Sequence, residues 1–211
     1  MQLRDAPATY GIAILTVAVS VLAILFVQPE LAAVTGGFVP GRVPDHLYPG
    51  YDGWLVPAWL TPLSATLLHA GWIHLLFNMV MLVYCGRETE RAVGSVNVAI
   101  LYLLGAYAAA AGQWAQGPAS MIPTIGASGA ISAIVGAYAL LYGRNRARAI
   151  GPLPAMLVHA VWLGVAWTAI NVAMGYVMLL GQPIAVGAHI GGFIIGLILA
   201  RPMLLWRYRG A

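Results

Sequence analysis

Six apolar runs, at about 9–27, 66–85, 95–115, 125–142, 154–180 and 184–200, limit what this chain can become. An α-helix needs about 20 mostly apolar residues to cross the hydrocarbon of a bilayer, and each run is near that length. Only 8% of the 211 residues are charged and 61% are hydrophobic, against roughly 25% charged in a soluble domain. The chain therefore reads as a polytopic, all-α membrane protein, one six-helix bundle over 1–211 with no separate soluble domain. Its one long connection, 28–65, holds six of the thirteen prolines together with Trp54 and Trp59. That segment is too broken to span, and its aromatic residues suit the membrane interface. The single cysteine, Cys85, excludes an internal disulfide and any multi-cysteine metal site.

All ten basic residues are arginine. Arg4 precedes the first run; Arg87 and Arg91 follow the second, Arg144, Arg146 and Arg148 the fourth, and Arg201, Arg207 and Arg209 the sixth. With six alternating spans these nine share one side, and only Arg42 lies opposite. The positive-inside rule makes the shared side cytoplasmic and puts both termini there. The scatter of arginines between apolar runs also argues against nucleic acid as a partner. The first run is too long for a signal-peptide core and is expected to be a retained helix.

Polar residues inside such runs are costly and usually mark function. Ser128 lies in the stretch Gly126-Ala127-Ser128-Gly129-Ala130, and His189 lies sixty-one residues later. Runs two, four and six all enter from the outer side. Counting 1.5 Å per residue, His74, Ser128 and His189 fall within about 5–12 Å of the outer surface. Gly126, Gly129 and Gly136 in run four face Gly187, Gly191, Gly192 and Gly196 in run six as small residues that let helices approach closely.

That arrangement has a chemistry. A serine hydroxyl becomes nucleophilic when a base takes its proton, and His189 is the candidate base. No Asp or Glu occurs in any run, so the expected unit is a Ser128–His189 dyad rather than a triad. His74 and Asn78, spaced i,i+4 on one helix face, are expected to act as oxyanion donors with the Ser128 backbone N–H, and Gly126 as a further contributor. His69 is expected to line the water entrance, and Ser132 to line the site. His159 reads as a core histidine and His46 as a solvated loop residue. No metal or other cofactor is expected.

These residues carry a resemblance. Gly126-Ala127-Ser128-Gly129 is similar to the Gly-x-Ser-Gly nucleophile motif of the rhomboid family of intramembrane serine proteases. Ala188-His189 with Gly191, Gly192 and Gly196 resembles its sixth-helix histidine motif, and His69, His74 and Asn78 resemble its His-x4-His-x3-Asn pattern. Gly86-x3-Glu90-x3-Gly94 resembles its glycine–glutamate turn after helix two. The likeness runs from about 57 to 200. It implies a six-helix core in a bacterial-type plasma membrane, cleavage of transmembrane protein substrates near the outer face, and no cofactor. Two positions depart from the family: Ser132 stands where many members have an aromatic residue stacked on the histidine, and Trp59 is followed by Leu60 rather than arginine. The rival readings are a non-catalytic relative that binds membrane segments and a small transporter. Retention of both Ser128 and His189 weighs against the first. A shallow cluster without an internal repeat weighs against the second.

Overall fold

The computed structural model of the protein describes residues 5–45, 47–142, 148–179 and 185–209. Arg4, His46, Arg144 and Arg146 lie outside them. Among the described residues nine α-helices follow in chain order: α1 (Pro7–Phe26), α2 (Pro29–Gly36), α3 (Arg42–Asp45), α4 (Thr61–Ser64), α5 (Trp72–Val93), α6 (Ser95–Gln116), α7 (Ser128–Tyr142), α8 (Ala155–Leu179) and α9 (Val186–Arg207). Tight 3-10 turns at Ala58–Leu60 and Ala65–Leu67 flank α4. Among the described residues no strand forms beyond two isolated bridges.

Helices α1, α6 and α9 are each long and apolar enough to cross a membrane, and α5 joins them if it is taken with the bent segment Ala58–Leu67. That pair bends by 91°, so the second run does not begin as helix at 66. Its helix starts at Trp72, after a break that contains His69. Gly71 sits at the N-cap with extended backbone. At the other end α5 continues to Val93, so Gly86 and Glu90 lie inside the helix and only Gly94 makes a turn, with φ of 89°. A left-handed φ suits glycine, and it reverses the chain directly into α6.

Helix α7 has 15 residues and reaches about 22 Å at 1.5 Å per residue. Its length is tolerable because it is the centre of the bundle: Gly129 through Ala137 are all buried. It packs most extensively on α9, and α6 packs on both. The contacts are made by backbone. A Cβ at Gly192 would overlap the Gly129 carbonyl oxygen, one at Gly196 the Ala133 carbonyl, and one at Gly136 the Phe193 carbonyl. Gly187 and Gly191 face α6 instead, against Gly112 and Ala108. The small residues of α9 thus form two rows, one for each neighbour, rather than a single seam with α7.

Helix α1 turns a polar stripe inward: Thr9, Ala13, Thr16 and Ser20 are its buried residues. The Glu90 carboxylate accepts hydrogen bonds from Ala8 N at 2.9 Å, Thr9 N at 2.8 Å and Thr9 Oγ1 at 2.6 Å. A carboxylate here satisfies N–H groups that the first turn of a helix leaves open and meets the positive end of its dipole. Gly86 lets α1 come this close, since a Cβ there would sit 2.8 Å from Thr9 Cγ2. We expect Glu90→Ala to lower stability by about 2 kcal/mol, since it leaves buried donors unpaired. Thermal unfolding in detergent, set against an exposed control such as Glu30→Ala, measures it.

Candidate active site

Three helices begin at one end of the bundle, and each contributes a polar side chain within its first turn. Ser128 opens α7, His74 is the third residue of α5, and His189 is the fourth of α9. The helices start later than the apolar runs do, at 72, 128 and 186 rather than 66, 125 and 184, so each group lies nearer the start of its helix than the run boundaries imply. Ser128 Oγ lies 2.9 Å from His189 Nε2. Ser128 and His74 are partly exposed, whereas His189 is buried. Among the described residues nothing hydrogen-bonds His189 Nδ1. When Nε2 accepts the serine proton, Nδ1 carries the other, and packing rather than a carboxylate orients the ring. The carboxylates within α5, Glu88 and Glu90, lie fourteen and sixteen residues from His74, about 21 and 24 Å along the helix.

Gly126 explains how His74 reaches the site. Its φ is 116°, and a Cβ there would stand 2.7 Å from His74 Cε1 and 2.8 Å from Nε2. The turn before α7 is therefore open only to glycine, and the imidazole rests against it. Ala70 N donates to His74 Nδ1 at 3.5 Å, which leaves Nε2 to hold the proton of the neutral ring. That N–H is a donor beside the serine turn. Asn78 is buried, and its Nδ2 donates to the His74 carbonyl at 2.9 Å. One amide proton is thus used within its own helix, leaving the second for a ligand.

Two residues are placed otherwise than expected. His69 lies in the break before α5 and is only 4% exposed, so it does not line a water entrance. Its ring sits edge-on to that of His74, with centroids 4.9 Å apart. Ser132 is fully buried and lies one helical turn below Ser128. Its Oγ donates to the Ser128 carbonyl at 2.7 Å and accepts from Trp167 Nε1 at 2.7 Å. It therefore holds α8 to α7 instead of lining an open cavity. Trp167 also stacks on Phe77 of α5, centroids 6.1 Å apart. No spacing in the sequence pointed to Trp167, because its partners lie on other helices. His159 is half-buried near the start of α8 rather than in the core.

The turn carrying Ser128 is tied to the long first connection. Phe38 and Thr124 exchange backbone hydrogen bonds at 2.9 and 2.8 Å, Gly41 N donates to Ser120 O, and Gly126 N donates to Ala65 O at 2.9 Å. At α9, the Gln116 side chain of α6 accepts from Gly187 N at 2.6 Å, two residues before His189. We expect Gly126→Ala to displace His74 and slow phosphonylation of Ser128 by a fluorophosphonate by about tenfold or more. Mass spectrometry of the labelled protein reads the rate.

A family model described as the rhomboid domain matches residues 57–206. The rhomboid protease GlpG of Pectobacterium atrosepticum is 31% identical over 137 residues, 65% of this chain and 46% of that protein. GlpG of Yersinia pestis strain Pestoides F is 27% identical over 201 residues, 95% of this chain and 64% of that protein. GlpG of Yersinia enterocolitica is 30% identical over 138 residues, 65% of this chain and 45% of its own length. The chain thus spans between about half and two-thirds of the length of these relatives. With the family model covering well over half of the chain, the protein belongs to the rhomboid family.

Proposed function

We propose that this protein is an intramembrane serine endopeptidase that cleaves transmembrane protein substrates near the outer face of a bacterial-type plasma membrane. In this reading the chain crosses six times with both termini in the cytoplasm, as the arginine distribution favours, and the site opens to the extracytoplasmic side. The observation that carries the reading is the 2.9 Å contact between Ser128 Oγ and His189 Nε2 at the shared end of three helices. That distance is within reach of direct proton transfer.

In the first step Ser128 Oγ bonds to the substrate carbonyl carbon while its proton passes to His189 Nε2. Negative charge gathers on the former carbonyl oxygen, toward the Ser128 N–H at the positive end of α7, the His74 Nε2–H and the free Asn78 amide proton. The carbon–nitrogen bond then breaks as His189 returns the proton to the leaving amine, leaving an ester on Ser128. Water, deprotonated by the same imidazole, hydrolyses that ester. A dyad without a carboxylate stabilises the imidazolium less than a triad does, and modest turnover follows.

A carbonyl inside a helix is already hydrogen-bonded and hidden, so the substrate must unwind locally before it can be attacked. Entry is expected from the lipid side past α8, whose packing on α7 and α9 is lighter than theirs on each other. With wild-type protein in proteoliposomes and a labelled single-span substrate, Ser128→Ala and His189→Ala are each expected to lower the cleavage rate by roughly 10³-fold or more. Unchanged product from Ser128→Ala sinks the mechanism. Substrates with a helix-breaking residue beside the scissile bond should be cut faster than uninterrupted helices; equal rates would remove the unwinding requirement.

A further inference from the structure

His69 is buried, sits in the break before α5 and takes no part in the steps above. Its two ring nitrogens are both engaged. Nδ1 lies 2.8 Å from Ser20 Oγ of α1, and Nε2 lies 3.4 Å from the backbone N of Ala127, the residue before the nucleophile. The Ser20 hydroxyl donates its one proton to Leu67 O at 2.8 Å. Toward His69 it can only accept, so Nδ1 must be the N–H. In the neutral ring Nε2 is then a lone pair, facing the Ala127 N–H. Exchanging the tautomer, or adding a proton, would set two N–H groups against each other at Ala127.

Ala127 is fully buried, and its N–H is among those that the start of a helix leaves without an intrahelical partner. Its carbonyl accepts from Ile131 N at 2.9 Å. With the N–H held by His69 and the carbonyl by the helix, both peptides flanking Ala127 are fixed. The second of those peptides contains the Ser128 N–H. The same imidazole supports the His74 ring from its edge. We propose that His69, with its tautomer set by Ser20, is a positioning residue that aims the Ser128 amide and the His74 ring at the reacting carbonyl. This rests on the serine-protease reading above and extends it to a residue of α1.

The variants separate the two ring nitrogens. Asparagine at 69 keeps a donor at the δ position and loses the acceptor; glutamine restores an acceptor at the ε position. Full-length protein in proteoliposomes is reacted with a small fluorophosphonate, which requires no substrate helix to enter or unwind, and cleavage kinetics and thermal midpoints are taken on the same samples. His69→Asn and Ser20→Ala are expected to slow phosphonylation and kcat by about tenfold, near the worth of one hydrogen bond, with KM unchanged. His69→Gln should recover to within about threefold of wild type and Ser20→Thr fully, since each returns the missing group. Equal losses for His69→Asn and His69→Gln, losses confined to KM, or rates that merely follow the thermal midpoint overturn the proposal. Wild type that fails to react with the probe overturns the protease reading and this inference with it. Reactive wild type with every variant matching its rate overturns the inference alone.

Discussion

The approach of α7 to α9 is the constraint on which the rest depends. In a bilayer there is little hydrophobic gain from bringing two helices together, because lipid is as apolar as their side chains. What remains is packing, and here glycines at 136, 192 and 196 remove the side chains from the interface so that each helix rests on the other's carbonyl oxygens. Close backbone approach fixes the separation and register of the two helices, and with them where Ser128 and His189 can meet. The 2.9 Å contact between Ser128 and His189 is a product of that interface.

Around this seam the protein satisfies its buried polar groups in pairs that join separate helices. Glu90 of α5 closes the start of α1, Gln116 of α6 meets the start of α9, and Ser132 links the Ser128 carbonyl to Trp167 of α8. An unpaired polar group costs several kcal/mol in hydrocarbon. Each of these side chains therefore settles where its partners are, which makes them fix helix ends more sharply than apolar packing does. Among the described residues His189 Nδ1 and Asn78 Oδ1 are two of the buried polar atoms that have no hydrogen-bond partner.

Much of the fold was legible because apolar length is a local property. Runs one, three and five match α1, α6 and α8 to within a few residues, and the tryptophans Trp54 and Trp59 of the long connection are exposed as interface residues are. The boundaries of α5 and α7 were less legible. Hydropathy does not distinguish a helix from an apolar turn, and the 66–71 and 125–127 segments are apolar turns. Ser128, His189 and His74 stood out because polar groups are rare in such runs. His69 and Ser132 were assigned surroundings they do not have, since exposure depends on what the other helices cover.

From the sequence alone follow the helical class, the membrane environment and the candidate residues for acyl-transfer chemistry, because composition and rare polar residues within apolar runs are written along the chain. Only the tertiary structure decided that three helices begin at one level and that α9 divides its glycines between two neighbours. It also decided that Ser132 answers to Trp167, and that His69 stands between Ser20 and the turn before Ser128. Each of those facts is a distance between residues far apart in the chain, set by backbone approach and by hydrogen bonds that join buried polar groups of separate helices.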